Sequence, residues 1–250
     1  MNKQIFFASD FHLGMPDATS SRARELHIVR WLRDIGPQAS KIFLLGDVFD
    51  FWMDYRYVVP RGYVRLLGTL TELADTGVEI HYFTGNHDQW LRDYFTQEMG
   101  WSVYHKPLRT QLGAKEFFLA HGDGLGPGDY GYKFIKWLFA RQINRWLFRQ
   151  IHPDLGCRIA RFFSHSSRHY AFFGDPEGKN PEKDRAYRYC LDYQRRQKRP
   201  VDFFVCGHSH QPVRLPVEGG EYINLGDWLR HYSYARFDGE QMYLEFYPLS

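Results

Sequence analysis

Apolar runs of strand length recur along the chain, and several end on a residue able to bind a metal ion. Lys3 to Ser9, rich in β-branched and aromatic residues, predicts a strand, with Asp10 and His12 just beyond it. Thr19 or Ser20 is expected to cap a helix from about Ser21 to Ile35, with Leu26, Val29, Trp31 and Leu32 among its apolar residues. Gly36-Pro37 ends that helix, and Ile42 to Leu45 predicts the second strand. A helical segment over residues 61 to 76 closes at Gly77. Val78 to Thr84 reads as the third strand, Gln89 to Met99 as a helix stopped by Gly100. Residues 101 to 120 read as strands, the last from Glu116 to Ala120. Alternating strands and helices predict a sheet covered on both faces, with ligands at the carboxyl ends of the strands.

The alternation breaks at Gly126-Pro127-Gly128. To about residue 200 the chain is helical and basic, with a Gly/Pro-rich interruption at Gly174 to Pro181. This predicts one domain over residues 1–250 with a helical cap inserted at approximately 127–200. Strands resume at Val201 to Cys206. Tyr222 to Leu225, Tyr232 to Phe237 and Met242 to Tyr247 predict a β meander completing a second sheet.

Tyr130 to His152 predicts one long helix. Arg141, Arg145 and Arg149 would form one stripe, Ile135, Phe139, Ile143 and Trp146 another. Phe134, Trp137, Leu138 and Phe148 fall outside the apolar stripe, more apolar surface than one-sided packing requires. Either the excess packs on a second cap helix near Ile159 to Phe163, or it offers a surface to acyl chains or a bilayer. Basic residues interleaved with aromatics also fit nucleic acid.

Composition narrows the class. A chain of 250 residues that is 44% hydrophobic and 18% aromatic can bury the core of a globular enzyme. Cys157, Cys190 and Cys206 have no Cys-x-x-Cys spacing, which argues against a disulfide framework or thiolate zinc site and fits a reducing compartment. Only Ile5 to Ala8 precede Asp10 as an apolar run, too short for a signal peptide, and no stretch has the length of a membrane span; a cytosolic location is expected. Residues 130 to 200 hold 16 Lys and Arg against 6 Asp and Glu, a balance of +10, so the remainder of this +3 chain carries −7. A basic middle on an acidic frame suggests an anionic partner there.

Candidate chemistry comes from five blocks: Asp10-Phe11-His12, Gly46-Asp47, Gly85-Asn86-His87-Asp88, His121-Gly122-Asp123 and Gly207-His208-Ser209-His210. Each follows a predicted strand. Gly46 lets the backbone turn sharply, placing Asp47 at the strand mouth, where its two oxygens could bridge two ions. Any one of these residues alone is more often a turn former or a satisfied histidine. Together they supply carboxylate, amide and imidazole donors suited to divalent metals. Asp10, His12, Asp47, Asn86, His121, His208 and His210 are the candidate ligands. Two ions about 3.5–4 Å apart can clamp both ends of an in-line displacement at phosphorus and lower the pKa of bound water towards about 7. His87, not counted as a ligand, could protonate a leaving oxygen or steady phosphate charge, with Asp88 orienting it. Five of the 12 histidines are used in this way; His27 and His81 are expected to be structural, and His231, near Gly226-Asp227-Trp228, could at most support a ligand.

At these residues the chain resembles the calcineurin-like metallophosphoesterase superfamily, whose pattern runs Asp-x-His, Gly-Asp, Gly-Asn-His-Asp, His, Gly-His-x-His. The resemblance implies an α/β, four-layer αββα sandwich. It implies one metal on Asp10, His12, Asp47 and His210, a second on Asp47, Asn86, His121 and His208, and manganese as the ion. The chain is also similar to the superfamily's UDP-2,3-diacylglucosamine pyrophosphatase-like branch, through the block order, the helical insertion, and Asp123 followed by Asp129 beside Tyr130. His165-Ser166-Ser167-Arg168 resembles that branch's Asn-Ser-Ser-Lys stretch. The branch implies hydrolysis of a nucleotide lipid to UMP and 2,3-diacylglucosamine 1-phosphate in lipid A biosynthesis, at the cytoplasmic face of the inner membrane. Its substrate contacts would fall on Asn86, His87, Asp129, His165, Arg168 and His208. Position 87 departs from the well-known members of the branch, which carry Arg after the Asn; His87 is the general superfamily residue. The alternatives are a metallophosphodiesterase for another lipid, nucleotide or nucleic acid, or a non-catalytic metal-binding scaffold.

Overall fold

A computed structural model describes residues 3–126, 128, 130–131, 133, 137, 141–159 and 180–249. Its first sheet is built from β1 (Gln4–Ala8), β2 (Ala39–Leu45), β3 (Glu79–Phe83) and β4 (Ser102–Tyr104), all parallel, in that spatial order. Helices α1 (Ala18–Ile35), α2 (Val64–Asp75) and α3 (Tyr94–Met99) connect them. The second sheet contains β5 (Leu108–Leu112), β6 (Lys115–Ala120), β7 (Phe203–Cys206), β8 (Val213–Val217) and β9 (Gly220–Asn224), in the order β5-β6-β7-β9-β8. Helices α4 (Gln142–Arg149) and α5 (Arg185–Arg195) lie between β6 and β7 in the chain.

The strands of β1 and β2 read as continuous apolar runs because both faces are buried. Successive side chains point to opposite faces. Phe6, Ala8, Ile42 and Leu44 meet Ile28, Trp31 and Leu32 of α1 and Leu66 and Leu70 of α2. Ile5, Phe7, Phe43 and Leu45 instead meet Phe117, Leu119, Val205 and Ile223 of the second sheet. Phe7 stacks between Phe43 at 5.1 Å and Phe117 at 5.8 Å. On the far side, Phe118, Phe204, Cys206 and Tyr222 bury Ala186, Tyr187 and Cys190 of α5. The layers are therefore helix, sheet, sheet, helix, as the resemblance implied.

Several elements differ from expectation. The α1 cap is Asp17, which accepts the backbone N–H of Ser20 at 2.9 Å, so the helix starts before Thr19. The helix expected from Gln89 covers only Tyr94–Met99. Residues 89–93 are held irregular because Asp54 accepts the N–H groups of Arg92 and Tyr94, and Trp90 bridges to Met53. The carboxyl-terminal strands divide: β9 joins the second sheet, but β10 (Ser233–Phe237) and β11 (Met242–Phe246) extend the first, with β10 antiparallel to β1. Strand β8 was not expected. Strands β1 to β3 thus have helices on one face and the second sheet on the other.

The long helix expected over Tyr130 to His152 is interrupted at Arg141, whose backbone is extended (φ −65°, ψ 129°). After it, α4 is moored to the frame. Phe148 packs edge-on against Trp90 at 4.6 Å, Arg145 donates to the Gln89 carbonyl, and Arg149 donates to the Asp54 carbonyl, each at 3.1 Å. Two of the three arginines expected as a stripe are therefore mooring points, whereas Arg141 lies over the Trp137 ring at 4.0 Å. Ile143 and Trp146, expected inside, are exposed alongside Trp137 and Leu147. No helix among the described residues is long and apolar enough to cross a membrane.

Candidate metal centre

Five strands, three in the first sheet and two in the second, end at one place. β1 delivers Asp10 and His12, β2 Asp47, β3 Asn86 and His87, β6 His121, and β7 His208 and His210. The loops are stitched together by backbone hydrogen bonds: Asp10 N–H to Gly46 O at 3.0 Å, His12 N–H to Asp47 O at 2.9 Å, and Gly207 N–H to His121 O at 2.8 Å. Asp10, His12, Asp47, His208 and His210 all have left-handed φ, between 45° and 70°. Non-glycine residues there cost on the order of 1–3 kcal/mol each, and such strain persists where the surrounding structure over-determines it. Close packing adds a further constraint. A Cβ on Gly85 would overlap Asp47 Oδ1, and one on Gly207 would sit 2.5 Å from Asp10 Oδ2.

The donor atoms converge. Asp47 Oδ2 lies 3.3 Å from His121 Nε2 and 3.8 Å from His12 Nε2. Asp10 Oδ1 lies 3.4 Å from His210 Nε2 and 3.7 Å from His12 Nε2. Asn86 Oδ1 is 3.2 Å from His121 Nε2. Asp10, His12 and His210 form one set able to hold a cation, Asp47, His121 and His208 another, and His12, Asp47 and His87 a third between them. Asp47 Oδ2, within 4 Å of ring nitrogens on both sides, stands between them. Asp10 Oδ1 is buried with no hydrogen-bond partner. An orphaned carboxylate oxygen amid ring nitrogens and an amide oxygen is a donor set that fits two divalent cations.

Electrostatics agree with that chemistry. Burial pushes the Asp10 and Asp47 carboxyls up, but His210 and His12 around Asp10, and His121 and His87 around Asp47, outweigh it and hold both below the usual range. Burial alone would lower His12; Asp10 and Asp50 instead raise it to about 9. His121 is likewise carried above its ordinary value against burial, chiefly by Asp47. Its Nδ1 faces the Leu45 carbonyl at 2.7 Å, so that nitrogen donates and Nε2 is the one that faces the centre.

His87 also faces the centre, its Nε2 4.0 Å from Asp47 Oδ2. The expected support from Asp88 is absent. The Asp88 carboxylate instead accepts from Gly85 N–H at 2.7 Å, Val48 N–H at 3.0 Å and the Tyr82 hydroxyl at 2.5 Å. It is a buried brace for the β2 and β3 loops, pushed up to about 6 by burial and by Asp47. The group beside His87 is Asp50, whose backbone O lies 3.2 Å and whose Oδ1 lies 3.6 Å from His87 Nδ1. Asp50 is not among the candidates that the sequence suggests, although it follows Asp47 in the same loop. Nor is Asp227, whose Oδ2 meets His210 Nδ1 at 3.3 Å. His231 reaches Asp227 Oδ1 at 3.4 Å and takes no part in the convergence of donors. Asp129, His165 and Arg168 lie outside the described residues.

A model of the calcineurin-like phosphoesterase family matches residues 3–212. The chain belongs to the calcineurin-like phosphoesterase family. The match contains all seven candidate ligands and stops short of Asp227. Over 261 aligned residues the chain is 36% identical to a UDP-2,3-diacylglucosamine hydrolase of Porphyromonas gingivalis, covering 98% of each chain. It is 28% identical to the enzyme of that name from Ectopseudomonas mendocina, covering 94% of this chain and 95% of the relative. For the Haemophilus influenzae enzyme the identity is 26%, with 92% and 93% covered. Family and relatives identify the chain as a metal-dependent hydrolase with a dimetal centre.

Proposed function

We propose that this hydrolase cleaves the pyrophosphate of UDP-2,3-diacylglucosamine, releasing UMP and 2,3-diacylglucosamine 1-phosphate for lipid A synthesis. The observation that carries the reading is the alignment with the Porphyromonas gingivalis hydrolase, which runs through the stretch between β6 and β7 as well as the frame. One cation would rest on Asp10, His12, Asp47 and His210, and the other on Asp47, Asn86, His121 and His208, with Mn²⁺ the ion suited to this mixed oxygen and nitrogen set. Bound there, two such ions supply charge at both ends of an in-line displacement and acidify the attacking water.

The chain's own residues do the rest. Asp47 sets the separation of the two positions. His87, steadied by Asp50, donates a proton to the departing phosphate oxygen through Nε2 or steadies the negative charge on the phosphate. Asn86 and His208, at the mouth, contact the phosphates along with His87. Asp129, His165 and Arg168 hold the rest of the head group. We read residues 127–200 as the cap over the site, with α5 as its return into the frame. Trp137, Trp146 and Leu147, 51–56% exposed, supply apolar surface to the acyl chains. The basic balance of this stretch draws it to the anionic cytoplasmic face of the inner membrane.

The test is product analysis. Metal-replete protein incubated with UDP-2,3-diacylglucosamine should release UMP and the lipid 1-phosphate in equal amounts. An intact nucleotide lipid, under conditions where a small soluble phosphodiester is hydrolysed, would keep the family chemistry and reject this substrate.

A further inference from the structure

His210 belongs to a left-handed loop residue, and its side chain is 26% exposed, so packing alone does not fix its ring. Its Nε2 must nevertheless present a lone pair beside Asp10 and His12. Its Nδ1 meets Oδ2 of Asp227, a carboxylate only 2% exposed. The other oxygen, Oδ1, accepts the backbone N–H groups of Leu229, Arg230 and His231 at 3.1, 2.8 and 3.1 Å. The same loop grips Asp10 directly, Trp228 N–H donating to the Asp10 carbonyl at 3.1 Å. Asp227 lies between β9 and β10, where the chain crosses from the second sheet to the first.

We infer that Asp227 is a positioning residue for the metal centre: it accepts the Nδ1–H of His210, fixing the tautomer whose Nε2 lone pair faces Asp10. The inference rests on the ligand assignment proposed above. The alternative role, capping the turn over residues 228–231, uses only Oδ1. The two roles separate on a single substitution. In Asp227→Asn the three backbone N–H groups still demand the oxygen, so the amide nitrogen is forced towards His210. That NH₂ donates to Nδ1, and the ring must then carry its proton on Nε2, pointing a hydrogen at the cation site. The turn is kept and the tautomer is inverted.

The experiment has two arms. Mn²⁺ titrations of wild type and Asp227→Asn should show two ions in both, with the affinity of one weakened about 10–100-fold in the variant, the usual scale for partners of metal-bound histidines. The Tm of the metal-free variant should match wild type, and on a His210→Ala background the same substitution should change affinity no further. In the second arm, Zn²⁺-loaded wild type labelled with ¹⁵N-histidine should show His210 protonated at Nδ1. Unchanged Mn²⁺ affinity in Asp227→Asn, an equal loss without His210, a lowered metal-free Tm, or an Nε2–H tautomer in wild type each overturns the inference. Fewer than two ions in wild type would instead fail the underlying ligand assignment.

Discussion

Nε2 of His12 lies 3.2 Å from Nε2 of His210, and the two rings stack 18° from parallel. Ring nitrogens this close need a proton or a cation between them, and Asp10 Oδ1 stands within 3.7 Å of both. A proton and a divalent ion therefore compete for one position.

That competition sets a pH dependence. His12 is raised to about 9, above its ordinary 6.5. Its proton stabilises the metal-free fold fully below pH 6.5, and this contribution is lost as the pH rises through about 9. Metal binding must displace the proton, so affinity should climb with pH over the same window. Calorimetry at pH 7.5 in buffers of different ionisation enthalpy should detect release of about one proton or more on Mn²⁺ binding. Binding without proton release would show that His12 is not a ligand.

His87→Ala should retain both ions and lose roughly 10²–10⁴ in turnover, the range for acid–base assistance. The side chain faces Asp47 from 4.0 Å and is backed by Asp50. Equilibrium dialysis of the variant showing fewer ions would reassign His87 as a ligand. His87→Arg, which restores the residue of the narrower branch, should be active on the nucleotide lipid.

Gly207→Ala introduces a methyl 2.5 Å from both Asp10 Oδ2 and Ser9 Oγ. Overpacking of this kind costs about 1–3 kcal/mol, and here it pushes on a metal-facing carboxylate. Denaturation of the metal-free variant should show that loss, and Mn²⁺ affinity should fall as well. Wild-type values for both would mean that Asp10 has room to move.

Trp137→Ser and Trp146→Ser remove exposed apolar surface without touching the mooring points Arg145, Phe148 and Arg149. An acyl chain gains about 0.8 kcal/mol per buried CH₂. Both variants should raise KM for a lipid substrate and leave turnover of a small soluble phosphodiester unchanged. A nucleic-acid substrate would behave otherwise, its affinity falling steeply with salt and depending more on Arg141. Kinetics on both substrate types across a salt series separate the two.

The centre was legible because each ligand directly follows an apolar strand, and parallel strands carry their carboxyl ends to a common edge. Asp47 or His121 alone would not have sufficed; the order of five blocks did. Residues that hold the ligands were not legible. Asp227 and Asp50 act through loops whose neighbours are set by tertiary packing, and Asp88 was assigned to His87 by sequence adjacency although its carboxylate turns to Tyr82. The destination of β10 was hidden for a related reason: alternating apolar positions specify a buried face but not which sheet supplies the partner strand. The break at Arg141 leaves no mark, because arginine is an ordinary helix former.

Asp47 is the residue on which the two-metal account depends, since its Oδ2 faces His121 on one side and His12 on the other. The decisive measurement is turnover of UDP-2,3-diacylglucosamine by Asp47→Ala in Mn²⁺-replete buffer, beside wild type and with the metal content of each determined. The account predicts two ions and turnover in wild type, loss of bound metal and of detectable turnover in the variant, and an unchanged circular dichroism spectrum. Hydrolysis by Asp47→Ala at a rate near wild type would contradict it.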